Sequence, residues 1–192
     1  MRIGIDISQA VYEGTGVGRY VTELTKAMIT EQTGTDFILF GSSYGRYEQL
    51  LAIAQELKAI SPGHVSYKLF VFPLSFFDVL WNKLHIIPVE WFIGRIDVFW
   101  SSDWIQPPLA TAIGMTTIHD VSFFRFPESF NKHIIDVHTR RLGRVAVECE
   151  RILCDSEATK RDVVEFLRIP ESRLDVVYPG FSLLHKEVGI SV

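Results

Sequence analysis

Seven short apolar runs punctuate this chain: "RIGIDI" (2–7), "FILF" (37–40), "VSYKLFVF" (65–72), "DVFW" (97–100), "TTIH" (116–119), "RILCD" (151–155) and "LDVVY" (174–178). Between most of them lie stretches whose apolar residues recur at helical spacing. Short, nearly continuous apolar runs fit strands buried on both faces, and strands joined by helices pair in parallel because each crossover lays its helix over the sheet. The alternation predicts an α/β fold, a Rossmann-like doubly wound parallel sheet of about seven strands with right-handed crossovers.

The first helix is read from Val17, Tyr20, Val21, Leu24, Ala27 and Met28, which share one face at helical spacing. Others are expected from Tyr44 to about Ile60, near 131–149 and over 157–167. Residues 74–93 also read as helical, with a break at Pro88, but they are unusually apolar. Two readings fit the segment 69–93: burial against the sheet, or contact with an apolar partner or membrane surface. Only Asp78, Lys83, His85 and Glu90 carry charge there, too few basic groups for electrostatic capture by a membrane.

Composition narrows the partners. Nineteen Lys and Arg against 23 Asp and Glu give a net charge of -4, so nothing overall draws the chain to nucleic acid or anionic lipid. Cys149 and Cys154 are the only cysteines, no N-x-S/T acceptor occurs, and "MRIGIDIS" lacks the apolar core of a signal peptide. A cytoplasmic protein is expected, with the inner face of the membrane as its alternative setting.

Open parallel sheets bind ligands beyond the carboxyl ends of their strands, so the residues just after each run carry the functional expectation. They are Gly14 to Arg19 after the first, Ser101 to Asp103 after the fourth, His119 and Asp120 after the fifth, Asp155 and Ser156 after the sixth, and Pro179 and Gly180 after the seventh. The loop "GTGVGR" can bring bare backbone N–H groups to an anion at a helix start. The same spacing also fits a tight turn. A dinucleotide fingerprint wants G-x-G-x-x-G and an acidic residue ending the second strand; here the pattern is G-x-G-x-G and the strand ends in Phe40-Gly41.

His119 at a strand end suits a polar ligand, and Asp120 beside it is the carboxylate expected to hold the imidazole protonated. Ser156 is a helix N-cap by type, able to turn its helix's positive end toward the same crevice. No metal is expected: His133 and His138 are separated around a helix, and no H-E-x-x-H or Cys/His cluster exists. Lys132, Arg140, Arg141 and Arg144 form a basic run on one helix, which reads as a solvated face.

Taken together, "IGIDIS" with "GTGVGRYVTEL", "DVFWSSDWIQPP" (97–108), "TTIHDVSFFRFPE" (116–128), "ILCDSEATKRDVVEFL" (152–167) and "RLDVVYPGF" (173–181) resemble the N-terminal domain of a retaining glycosyltransferase of GT-B type, in the large family that includes bacterial mannosyltransferases. The resemblance covers most of residues 1–181. It implies one of two Rossmann-like domains that face each other across a cleft, the first binding mainly the acceptor and the second the nucleotide-sugar donor.

Carried over residue by residue, the resemblance puts Gly16, Gly18 and Arg19 in the loop that approaches the donor phosphates. It makes His119 and Asp120 catalytic, places Asp103, Phe123 and Phe124 on the acceptor side, and leaves Ser156 in support. It implies front-face attack with no metal or other cofactor, a nucleotide-sugar substrate such as GDP-mannose, and a glycan or lipid-linked acceptor in polysaccharide synthesis. The family's Arg/Lys pair and its E-x7-E motif belong to the second domain. That spacing occurs here at Glu23/Glu31, Glu48/Glu56 and Glu157/Glu165, each within a first-domain helical pattern.

The resulting expectation is an N-terminal domain over 1–181, with 182–192 a tail or the start of an interdomain linker and the donor-binding domain absent. Such a half is expected to be inactive alone. A free-standing carbohydrate- or partner-binding module and, more distantly, a dinucleotide-dependent enzyme are the alternatives.

Overall fold

The computed structural model describes residues 1–12 and 14–180; the expected tail 182–192 lies outside them. Seven strands form one sheet in the order β3-β2-β1-β4-β5-β6-β7. They are β1 (Arg2–Asp6), β2 (Asp36–Ser42), β3 (Val65–Phe70), β4 (Val98–Ser101), β5 (Ile113–Ile118), β6 (Cys149–Cys154) and β7 (Leu174–Val176). Every pairing is parallel. The expected fold class is the one observed, and the sheet reverses its winding between β1 and β4.

Four longer helices cover the sheet: α1 (Gly16–Glu31), α2 (Tyr47–Ile60), α6 (Lys132–Glu148) and α7 (Glu157–Leu167). Short helices α3 (Leu74–Phe77), α4 (Glu90–Ile93) and α5 (Ser122–Arg125) fill the connections. Two apolar clusters flank the early strands. Ile3, Ile5, Val21, Ile29, Leu50 and Leu57 pack under α1 and α2, while Phe40, Phe77, Trp81, Val89, Ile93 and Phe99 pack on the opposite side. A third, around Ile118, Leu142, Val145, Ile152 and Val163, joins α6 and α7 to the later strands.

The segment expected as one broken helix is divided further. α3 runs into a wider π-helical stretch over Asp78–Lys83, followed by left-handed backbone at His85 and Ile87 before α4. His85 is tied on both sides, its Nδ1 2.9 Å from the Trp81 carbonyl and its Nε2 2.8 Å from Glu148 on α6. The segment is divided between interior and surface: Phe77, Trp81 and Val89 are buried, whereas Phe72, Phe76, Leu84, Ile86 and Trp91 are exposed.

The basic run on α6 is not a solvated face. Arg141 is only 1% exposed, and its guanidinium lies 2.5 Å from Thr116 Oγ1 and 3.5 Å from Asp103 Oδ1. Arg140 reaches Asp78 at 3.4 Å, and Arg144 donates to the Asn82 and Lys83 carbonyls that end the π-helical stretch. The arginines therefore dock α6 onto the loops at the carboxyl edge of the sheet.

That edge is closed by one buried carboxylate. Asp6 Oδ1 accepts from the Ser8 amide at 2.9 Å and its hydroxyl at 2.6 Å, while Oδ2 accepts from Ser102 Oγ at 2.6 Å. Ser8 Oγ in turn accepts from the Ser42 amide at 3.0 Å. Burial pushes the Asp6 pKa up against these hydrogen bonds, so the folded state holds the proton more tightly than the unfolded chain. The stabilisation from a raised pKa is complete below the ordinary carboxylate range and is lost as pH rises through the folded value. Asp6→Asn is thus expected to be more resistant to urea than the parent at about pH 7, with the gap narrowing toward about pH 4. Urea titrations across that window check it; an Asn variant weaker at every pH would contradict it.

Candidate functional site

All seven carboxyl ends point to one edge, and two cavities open there on either side of the loop between β1 and α1. The first, about 520 Å³, lies at the β1/β4 switch point. Gln9, Tyr12, Thr15 and Val17 come from the β1 side, Asp103, Trp104 and Ile105 from the β4 loop, and Leu74, Ser75 and Asp78 from α3 and its end. His133 and Val137 on α6 complete it. The second, about 580 Å³, lies between Gly16, Arg19, Tyr20, Glu23, Leu24 and Ala27 on α1 and the chain after β7, Val177 to Gly180.

The walls of the first cavity are fixed by hydrogen bonds. Asn82 donates to the Trp104 carbonyl at 2.9 Å and accepts from the Gln106 amide at 3.0 Å, stapling the β4 loop to the π-helical stretch. His138 packs between Trp104 and Phe123, with ring centroids 4.9 Å and 5.5 Å away. Burial lowers its pKa, opposed by Asp103, which favours an uncharged ring among the aromatic groups.

His119 sits just past β5. Its Nδ1 lies 2.7 Å from Asp155 Oδ2, just past β6, and its ring meets the Tyr20 ring edge-on at 4.8 Å. Tyr20 is held in place by its hydroxyl, 3.3 Å from Thr117 Oγ1. Burial and, to a smaller extent, Asp155 push the Tyr20 pKa up, so it stays a phenol. With Nδ1 directed at a carboxylate, that nitrogen carries a proton and Nε2 is left for another partner; Nε2 has none among the described residues.

A family model described as Glycosyltransferase Family 4 matches residues 14–183. The chain belongs to that family. A search of curated proteins returned no match. Family membership supports a glycosyltransferase-type function, with nucleotide-sugar and acceptor as the general partners. No described helix is long and apolar enough to cross a membrane.

The expected residues of this Family 4 domain divide into three groups. Asp103 lines the first cavity, Gly16 and Arg19 line the second, and His119 touches Tyr20 beside it. Ser156 is the N-cap of α7: its Oγ accepts from the Thr159 amide at 3.1 Å, and Thr159 Oγ1 donates to the His119 carbonyl at 3.1 Å. Ser156 thus supports His119 through one intermediate residue.

Three residues have other surroundings than expected. Asp120 accepts from the amide and hydroxyl of Ser122, at 3.0 Å and 2.6 Å, so it closes the turn into α5 and the carboxylate on the imidazole is Asp155. Phe123 and Phe124 pack into the cluster beneath α6 and α7, with Phe124 stacked on Phe166 at 5.9 Å, and line neither cavity. Their short helix turns them inward. Neither cysteine is a nucleophile candidate, because burial pushes Cys149 up to about 12 and Cys154 to about 11.

The two glycines of the loop are not equivalent. A Cβ on Gly18 would stand 2.6 Å from the Tyr12 carbonyl oxygen and 2.9 Å from that of Gln9, whereas one on Gly16 meets nothing within 4 Å. Gly18 is therefore needed to pack α1 against the preceding turn, and Gly16 fronts open space. Thr15 caps this helix, accepting from the Gly18 amide at 3.1 Å, which leaves the Gly16 and Val17 amides without a partner among the described residues at its positive end. Gly18→Ala is expected to cost about 1–3 kcal/mol of stability, and Gly16→Ala no more than about 0.5 kcal/mol. Thermal or urea unfolding of the two variants checks the contrast, and equal losses would refute it.

Proposed function

We propose that this chain is the acceptor-side, N-terminal half of a retaining sugar transferase that moves mannose from GDP-mannose to a glycan or lipid-linked acceptor in polysaccharide synthesis. The observation that carries the reading is His119: a strand-end imidazole fixed through Nδ1 by Asp155, with Nε2 unpartnered among the described residues, at the edge where both cavities open. Gly16 and Arg19 receive one side of the donor diphosphate at the positive end of α1. A donor-binding domain supplies the remaining charge, so the chain alone turns over nothing. The choice of mannose rests on the likeness of "HDVSFFRFPE" to mannosyltransferases.

Catalysis in this reading is positioning and electrostatic stabilisation, with no metal or cofactor. The acceptor hydroxyl attacks from the face the diphosphate leaves, and the diphosphate takes its proton. The exposed side chains of Phe72, Phe76, Leu84 and Trp91 support peripheral contact with the inner membrane face, where a lipid-linked acceptor would reside. A second reading, a free-standing sugar-binding module, is favoured by the first cavity, whose walls all come from this chain.

The deciding experiment assays this chain, alone and joined to a donor-binding domain, against a panel of nucleotide sugars and acceptors. Transfer only by the joined form supports the proposal; transfer by the isolated chain removes the need for a second domain, and acceptor binding without transfer in either form favours the module. In the active form, His119→Ala is expected to lower turnover about 10²-fold while moving the unfolding midpoint little. Asp155→Asn, which can still accept from Nδ1, is expected to retain more activity than Asp155→Ala. Unchanged turnover in His119→Ala would take the imidazole out of the site.

A further inference from the structure

The first cavity contains a buried amide side chain whose hydrogen bonding is incomplete. Gln9 is only 4% exposed, lines this cavity, and its Nε2 has no hydrogen-bond partner among the described residues. A buried amide N–H group without a partner costs about 1–3 kcal/mol, so an oxygen supplied by a ligand would gain what the fold has left unmade. Gln9 cannot easily swing away, because Ser8 before it is anchored to Asp6 and its own carbonyl is engaged by the Tyr12 amide.

The cavity's charged groups complete the selection. Asp78 is already occupied: Oδ1 accepts from Asn82 at 3.0 Å, and Oδ2 faces Arg140 at 3.4 Å and Lys83 at 3.7 Å. Asp103 is not, since only its Oδ1 is engaged, at 3.5 Å from Arg141. That leaves one carboxylate oxygen to accept from a ligand hydroxyl. Among the described residues no lysine or arginine lines the cavity; Arg141 reaches Asp103 from behind, within the core. Beside Thr15, Ser75 and His133, the other walls are Tyr12, Val17, Leu74, Trp104, Ile105 and Val137, suited to the apolar C–H face of a ring. Tyr12 is backed by the Arg46 guanidinium, 5.2 Å from its ring centroid.

We infer that this cavity is an acceptor subsite for an uncharged sugar ring, with Gln9 donating to a ring or hydroxyl oxygen and Asp103 accepting from a hydroxyl, and that it discriminates against uronates and phosphorylated sugars. The term acceptor rests on the transferase reading; the cavity's selectivity does not. An anionic substituent would meet the free Asp103 oxygen with no lysine or arginine among the described wall residues to offset it, the His133 imidazole being the one titratable base there.

A matched pair of probes tests this without donor or turnover: 4-nitrophenyl glucoside and 4-nitrophenyl glucuronide, which differ only in carrying a carboxylate at C6, with the 4-nitrophenyl mannoside beside them. Titrations of the ¹⁵N-labelled chain follow the side-chain amide resonances of Gln9, assigned by their loss in Gln9→Ala. At least one neutral glycoside should move those resonances saturably, the glucuronide should bind at least about tenfold more weakly, and Asp103→Asn should narrow that difference. Equal or tighter binding of the glucuronide, or no movement of the Gln9 resonances by any probe, overturns the inference, and the first of these results depends on no variant folding. Neutral-sugar binding with no transfer by the joined enzyme sinks the transferase reading alone; efficient transfer to a uronate or phosphosugar held in this cavity sinks the subsite inference alone.

Discussion

The carboxylate of Asp6 is the constraint on which the edge of the sheet depends. It belongs to the last residue of β1, and through Ser8, Ser42 and Ser102 it ties together the chain leaving β1, β2 and β4. Those three departures surround the topological switch point, where the helices change sides and the sheet cannot cover its own loops. Gln9 and Tyr12 follow directly from Ser8, and Asp103 and Trp104 from Ser102, so both walls of the first cavity inherit their positions from one buried group. Its raised pKa means that this order is held against a desolvation cost. A network of this kind is stable only because every oxygen has a donor.

Most of the sheet was legible because its strands are buried on both faces. A strand with helices above and below cannot alternate polar and apolar residues, so "RIGIDI" and "DVFW" stand out from the helical patterns between them. Boundaries were less legible. Ile113, Gly114 and Met115 extend β5 upstream of the run "TTIH", because pairing with β4 continues through Gly114, which has no side chain to mark a strand. The π-helical stretch and the left-handed His85 and Ile87 are beyond reach of periodicity, since they depend on contacts to Glu148 and Trp104, distant in the chain.

The candidate site was legible in outline, its side-chain pairings less so, and the reasons are local. His119 was found because strand-end placement is a property of topology. Asp155 was passed over in favour of Asp120 because adjacency in sequence is a poor guide across a parallel sheet, where the nearest neighbour of one strand end is the next strand's end. β5 and β6 pair Ile118 with Cys154, and that register alone sets His119 beside Asp155. Arg141 left a clearer trace: it lies four residues after Val137 and four before Val145, on the buried stripe of α6. Counting charges along the helix hid it, and plotting them around the helix would have shown it.

The glycine loop carries the last step. A glycine that merely packs and a glycine that fronts a ligand have identical signatures in sequence, and the two stand two residues apart here. Gly18 lets α1 begin close against the turn after β1, which brings Tyr20 onto His119 and fixes the helix axis. Only then does the open edge at Gly16 become useful, because the positive end of the helix, worth roughly half a charge, and the exposed Arg19 face the same side. Together they amount to about one and a half positive charges, fewer than a sugar diphosphate carries in negative ones. The loop is therefore suited to receive one flank of such a group, while the carboxylate-bearing cavity on its other side is suited to hold a neutral hydroxyl. That opposition of polarity across a single loop sets an anion-receiving edge apart from a cavity suited to neutral hydroxyls.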